Sequence, residues 1–316
     1  MTHPQNINDE VEKTRKRWDK QIPKEYRQEP EQMPSGAIGK DGFLYLGFTR
    51  SGRKSILHRM EKRTPLFAQK ALYHDEALPD LPCVTVISTS GCVLQGDRMV
   101  LSINVGENAF ASVNTQSATK VHSMDKNYGA QIQFIQLNEN SYLEYLPDPL
   151  ILHRNARFVN DTVIDYKRNA TLIYSEVIIP GRRYHHENEL NGFDYYSSTV
   201  SAKDESGNIL FKEQIVLSPK EHPMTEIGVI GSFQIIGTIF ILTPVENIAS
   251  ILSTFKAHYG KDCCYGMSTL PAESGLIFKI LANDSSIIKK HIRTVWATTR
   301  KVVLNAELPA PFIWKK

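Results

Sequence analysis

Met99-Val100-Leu101-Ser102-Ile103-Asn104-Val105, followed by Gly106-Glu107-Asn108, sets apolar side chains two residues apart and then stops on turn-forming residues. A period of two is the pleat of a β-strand, whose successive side chains point to opposite faces. Gly and Asn end the run because they accept backbone conformations that branched residues refuse. The design recurs outward from this stretch: Ile132 and Phe134 before Asn138-Glu139-Asn140, Val163 and Asp165 before Lys167-Arg168-Asn169, and the alternating sets Tyr142-Glu144-Leu146, Leu172-Tyr174-Glu176 and Leu210-Lys212. Short strands at spacings of roughly ten to fifteen residues predict a mainly β body between residues 35 and 242, built as a solenoid, sandwich or barrel.

Helical signals flank this body. Thr243-Pro244-Val245-Glu246 offers a capping threonine, a first-turn proline and a glutamate three residues past the cap, with Ile248, Ile251, Leu252 and Phe255 on one face and Gly260 as a stop. Asp284 or Ser285 caps a second helix carrying Ile288, Ile292, Val295, Trp296 and Val303, after a strand-like run at 276–281. Residues 243–316 are therefore expected to form a C-terminal helix–strand–helix region packed on the body. Residues 1–34 interleave Lys and Arg with Asp and Glu and are expected to be a mobile extension. The alternative is a docking arm with Trp18, Ile22 and Tyr26 on one helical face, opposed by Pro23. Ile227 to Val245 lacks charge over a length that could cross a membrane, but its glycines and β-branched residues favour two buried strands joined near Ile236-Gly237.

The chain has 316 residues, 41% of them apolar, with 37 Lys plus Arg against 34 Asp plus Glu, a net charge of +3. That balance provides no footprint for nucleic acid or an anionic membrane. Four cysteines without a CxxC pair or an even ladder read as reduced thiols, and no apolar leader follows the start, so a cytoplasmic location is expected. The triplets beginning at Asn160, Asn169 and Asn283 then have no meaning as glycosylation sites.

No Walker loop, GxGxxG, HExxH or GxSxG is present. What remains is polar residues beside glycines in a strand-rich body. Gly91 to Asp97 sets a carboxylate after a glycine-flanked connection. Asn114 to Lys120 is an unbroken polar run in which Thr115, Ser117 and Thr119 share a face, either lining a polar interior or forming a structural ladder. Glu144, Asp148 and Glu176 fall in or just after strands, where an inward carboxylate requires a partner, water or a cation; an outward, solvated placement is the other reading. His122, His153, His185 and His186 match no closed metal site by spacing, and adjacent Cys263-Cys264 suits packing better than a disulfide.

These residues also carry a resemblance. Ser90-Gly91-Cys92-Val93-Leu94-Gln95-Gly96-Asp97-Arg98, Thr115-Gln116-Ser117-Ala118-Thr119-Lys120-Val121, Leu143-Glu144-Tyr145-Leu146-Pro147-Asp148-Pro149, Ser175-Glu176-Val177 with Gly181-Arg182, and Phe312-Ile313-Trp314 resemble, in order and spacing, the UreD/UreH family of urease accessory proteins. The likeness runs from about Gly36 onward and departs at Ser90, where a second glycine is usual, and in the charged N-terminal extension. It implies a β-helix-like solenoid acting as a non-enzymatic chaperone. Its partners would be the urease structural subunits, a UreF-type accessory protein and, through it, a UreG-type GTPase. Nickel would be a transient cargo, with no organic cofactor. Asp97, Thr119 and Glu176 match positions associated with an internal nickel passage, with Glu144 and Asp148 behind them; Gly96, Lys120, Gly181, Arg182 and Glu187 would be structural or interface residues. Transit suits exchangeable oxygen ligands, since a tight His/Cys cage would trap the ion. The competing class is a β-solenoid carbohydrate hydrolase using two of Asp97, Glu144, Asp148 and Glu176, which needs carboxyl groups ~5–5.5 Å or ~6.5–9.5 Å apart in an open cleft.

Overall fold

The structure is a computed structural model and describes residues 4–28 and 41–311; the Phe312-Ile313-Trp314 motif lies outside the described residues. Two sheets face each other. The first has seven strands in the order Ile209–Leu217, Tyr195–Lys203, Arg157–Tyr166, Gly129–Leu137, Arg98–Val105, Asp41–Ser51 and Lys54–Arg63. Its inner pairings are parallel and its two edge pairings antiparallel. The second sheet, of eleven strands, has a parallel centre of Cys83–Ser88, Phe110–Thr115, Tyr142–Tyr145 and Thr171–Ile179. Ile235–Leu242, Gly275–Ala282 and Cys263–Thr269 extend it antiparallel, so the sheet continues across residue 243.

Between residues 83 and 203 the chain alternates between the sheets, and the sequence explains how. Gly106-Glu107-Asn108, Asn138-Glu139-Asn140 and Lys167-Arg168-Asn169 each carry the chain from the first sheet to the second. Asn108, Asn140 and Asn169 all take the left-handed conformation, at φ 56°, 53° and 60°, which Asn tolerates better than other side-chain-bearing residues. The buried residues that follow, Ala109, Ser141 and Ala170, are small enough for the turns to stack. Asn108 N–H donates to the Glu139 carbonyl, and Asn140 N–H to that of Arg168, tying successive turns together.

The expectation of a mainly β body holds. The antiparallel edges make the two sheets mixed, rather than the uniformly parallel sheets a regular solenoid would present. Ile227 to Val245 is not two strands: turns occupy 218–234, with Ile227 fully exposed, and a single strand covers Ile235–Leu242. Among the described residues no helix is long and apolar enough to cross a membrane.

Helices cover the outer faces. Val245–Leu252 and Ser285–Leu304 pack on the second sheet through Ile248, Ile251, Ile288 and Val295, against Ile173, Ile239 and Phe278. Asp284 caps the longer helix, accepting from Ser286 N–H at 2.7 Å. The shorter one starts a residue later than its motif suggests, with Pro244 at the cap and no side-chain cap bond, and ends at Leu252 rather than near Gly260. The charged N-terminal segment contains a helix, Pro4–Gln21. Trp18 and Ile22, each 1% exposed, sit on Ala130, Ile132, Val159 and Tyr195 of the first sheet and on Tyr128 just before it. The face considered above as a docking arm thus docks on its own chain. Trp18 Nε1 donates to Asp161, which also pairs with Arg17. Burying the two apolar side chains contributes about 1.5–3 kcal/mol each toward holding the segment on the sheet.

Candidate functional site

Between the sheets the interior changes character along the strands. Near the Asn turns it is hydrocarbon: Val105, Leu137, Ile164, Leu143 and Leu172. Farther from them it becomes polar, and strand register explains why. Gln133 lies opposite Thr162, and Gln131 opposite Asn160, which in turn lies opposite Ser198. Tyr145 lies opposite Tyr174 on the facing sheet, with rings stacked 5.3 Å apart. Gln133 Nε2 donates to Thr162 Oγ1 and Tyr174 Oη, each at 2.9 Å, and Gln133 Oε1 accepts from Tyr145. Gln133, Thr162, Tyr145 and Tyr174 therefore satisfy one another, as burial requires.

Glu176 ends this network. Its Oε1 accepts from Tyr174 Oη at 2.7 Å, Asn160 Nδ2 at 2.9 Å and Ser198 Oγ at 3.0 Å, and its Oε2 accepts from Ser198 Oγ at 3.0 Å. Burial raises its pKa above the usual carboxylate value; the hydrogen bonds from Tyr174, Ser198 and Asn160 oppose that, and the charge of Asp161 adds to it. Its environment is thus hydroxyls, an amide and a second acid. Part of its surface stays open because it walls two cavities, one of about 160 Å³ and one of about 610 Å³. Thr115, Thr119, Lys120 and Asp148 wall the first; Ser198, Glu213, His258 and Lys279 wall the second.

The other residues singled out by sequence fall elsewhere. Asp97, 1% exposed, is outside both cavity walls. Its Oδ2 accepts from Leu94 N–H at 2.9 Å and closes the Gly91–Asp97 connection, helped by Gly96 at φ 82°. Glu144, 0% exposed, lies on the opposite face of the second sheet, beneath the C-terminal helix. Both its oxygens are committed to Arg300, at 2.7 and 2.8 Å, and Tyr142 Oη adds a third bond at 2.7 Å. Asp75 also binds Arg300. A carboxylate held in this way is not available as an exchangeable ligand or as the acid or base of a hydrolase. The Asn114–Lys120 run is broken at residues 116–118. Thr115 Oγ1 accepts from Asp148 N–H at 2.8 Å, while Lys120 is exposed. Gly181, at φ 117°, passes so close to the Glu189 carbonyl that a Cβ there would collide with it. Arg182 pairs with Glu189, at 2.7 and 3.0 Å, and Glu187 is exposed.

Sequence reasoning missed Gln133, Asn160, Tyr174, Ser198 and Arg300. Asn160 stood in a triplet set aside as a vacant glycosylation pattern. Gln131 and Gln133 alternate with Ile132 and Phe134, so a one-sided strand would have turned them to solvent. Both faces of this sheet are covered, and the glutamines lie inside.

The UreD urease accessory protein family model matches residues 40–315. Urease accessory protein UreD of Photorhabdus laumondii is 48% identical over 292 residues, covering 92% of this chain and 91% of that protein. Its counterpart in Yersinia pseudotuberculosis shares the same identity and coverage. Urease accessory protein UreD 2 of Brucella canis is 41% identical over 291 residues, covering 92% and 96%. The likeness spans both sheets, the polar interior and the C-terminal helices, and the chain belongs to the UreD family of urease accessory proteins.

Proposed function

We propose that this chain conducts nickel through its interior to the nascent urease active site, with Glu176 as the carboxylate the ion passes. Members of the family are non-catalytic chaperones that serve assembly of the urease nickel centre; the route, the residues and the immediate partners are our reading. One observation carries it: Glu176 walls both cavities and takes its hydrogen bonds from hydroxyl and amide groups. A hydrated divalent ion would gain there from a deep carboxylate without meeting the thiolate or imidazole cage that would retain it. Among the described residues no group of three or more His, Cys, Asp or Glu is placed to hold a metal, as suits passage more than storage.

Thr119 and Asp148 in the first cavity are the remaining oxygen ligands of the path, and the second cavity is its other end. Asp97 and Glu144 leave the path and join the scaffold. We read the alternating winding of the chain as a short β-helix-like stack that keeps these residues in register. In this reading the protein works in the cytoplasm, bound to urease apoprotein and to a UreF-type protein that brings the UreG-type GTPase.

The test is urease activation in cells carrying Glu176→Gln, with co-purification of urease and the accessory proteins measured in parallel. Lost activation with the complex intact is expected. Full activation by Glu176→Gln refutes the route, and failure to recover the accessory proteins with the unsubstituted chain refutes the partner assignment.

A further inference from the structure

Away from the interior slot, two imidazoles stand side by side on a short parallel pair at the edge of the second sheet. Thr119–Val121 and Leu150–Leu152 are in register, with Val121 opposite Leu152. The next residues, His122 and His153, therefore fall opposite one another and project to the same side. His153 N–H donates to the Val121 carbonyl at 3.0 Å, and His122 N–H to the Val93 carbonyl at 2.9 Å, so both backbones are held. The ring centroids are 5.8 Å apart at an interplanar angle of 53°.

The nitrogens are chemically ready. His122 Nδ1 lies 3.2 Å from the Ser123 carbonyl oxygen, which can only accept. In a neutral ring, a hydrogen bond donated from that nitrogen leaves the lone pair on Nε2 of exposed His122. His153 is 6% exposed and its Nε2 is buried without a hydrogen-bond partner, a cost unless something satisfies it. Burial and the charge of Arg182 hold the His153 pKa below the ordinary value, so the ring is neutral at neutral pH. A metal ~2.0–2.1 Å from each ring nitrogen stands ~3.2 Å from each centroid, which separates two centroids by ~5.2 Å at a tetrahedral angle and by ~6.4 Å on a line. The observed separation lies between these limits.

We propose that His122 and His153 form a two-imidazole binding site for a divalent first-row transition ion, with water completing its shell. Two ligands make a labile site. Thr119 and Lys120, on the strand that ends just before His122, wall the first cavity, so the site lies beside that cavity's lining. Its use as a loading point rests on the transit reading above; the binding itself does not.

The experiment titrates the full-length protein with Ni²⁺ by calorimetry and with Cu²⁺ by electron paramagnetic resonance. His122→Gln, at an exposed position, should weaken Ni²⁺ binding at least about tenfold, a scale on which even the supporting groups of metal sites act. It should also remove one imidazole coupling from the Cu²⁺ spectrum. His153→Gln should do the same, and His185→Gln should do neither. Unchanged Ni²⁺ affinity in His122→Gln, or a Cu²⁺ spectrum of the unsubstituted protein without two nitrogen couplings, overturns the assignment. The two proposals fail separately: intact activation by Glu176→Gln would leave these titrations untouched, and a silent His122→Gln would leave the interior route standing.

Discussion

Replacing Arg300 by Met tests whether Glu144 belongs to the scaffold. Arg300 is 1% exposed and joins three parts of the chain: its own helix, Glu144 on the strand beneath it, and Asp75 in the loop that precedes Cys83–Ser88. Asp75 is held from its other side by the N–H groups of Ala77 and Leu78, at 3.1 and 3.0 Å. Methionine keeps the apolar stem and removes the charge, stranding two buried carboxylates. Hydrogen bonds to charged groups contribute about 1.5–3 kcal/mol each net of desolvation, and the three here share one guanidinium, so they do not simply add. Measured losses from breaking buried pairs place the net cost at about 3–5 kcal/mol, a large share of the about 5–15 kcal/mol that holds a typical domain.

Urea unfolding of the full chain at pH 7 reads this directly. The companion Glu144→Gln removes one of the stranded charges, so the double variant should be more stable than the sum of the two losses predicts, by about 2 kcal/mol or more. A loss below about 1 kcal/mol, or strict additivity in the double variant, refutes the buried network as the anchor of the C-terminal helix. Urease activation by Glu144→Gln should fall only in proportion to folded protein, unlike that by Glu176→Gln.

Three further outcomes follow from the same geometry. The Glu176 pKa is raised in the folded protein, so its ionised form is a destabilising element present above the folded pKa and absent below the unfolded value. Glu176→Gln should thus unfold no earlier than the parent at pH 7 in thermal melts, and the difference should close as pH falls below about 4.5. Glu189 behaves oppositely: its hydrogen bonds to Arg182 hold its pKa down at about 2, giving stability that is complete above the ordinary carboxylate range and lost as pH falls toward 2. Arg182→Met should flatten that acid limb in melts taken between pH 5 and 2. Trp18→Ala should cost about 3–5 kcal/mol in urea unfolding, and hydrogen exchange should show Ala130, Ile132 and Val159 losing protection; an unchanged midpoint would mean the N-terminal helix does not hold that face.

Most strand positions, the C-terminal helices and the polar interior were legible because each rests on local chemistry: period two, capping residues, and polar side chains where a core strand would not carry them; the stretch read as two strands over 227–245 was not, because it is turns followed by one strand. Arg300 was not legible, because its partners lie 156 and 225 residues away in sequence and nothing local distinguishes a helix arginine that reaches inward from one that reaches water. The N-terminal helix was hidden for a related reason. Its composition is that of a solvated segment, and two residues, Trp18 and Ile22, decide that it docks.

The different fates of Glu144 and Glu176 depend on counting. Both are strand glutamates in alternating runs, and sequence alone treats them alike. The left-handed asparagines provide a common origin: Glu144 stands four residues past Asn140, and Glu176 seven past Asn169. Even offsets face the C-terminal helices, where Ile173, four past Asn169, packs. Odd offsets face the other sheet, as do Tyr145 and Tyr174, each five past its asparagine. Thr115, seven past Asn108, obeys the same parity and reaches the first cavity. Counting back across the turns, Leu101, Gln133 and Thr162 each stand seven before an asparagine and lie in one register row. A side chain's face is thus inherited from the turn that starts its strand. An acid at an even offset meets the arginine of a covering helix, and an acid at an odd offset meets the polar seam between the sheets. The face of each carboxylate follows from parity before any contact is considered, and the face decides whether it meets an arginine or the polar seam.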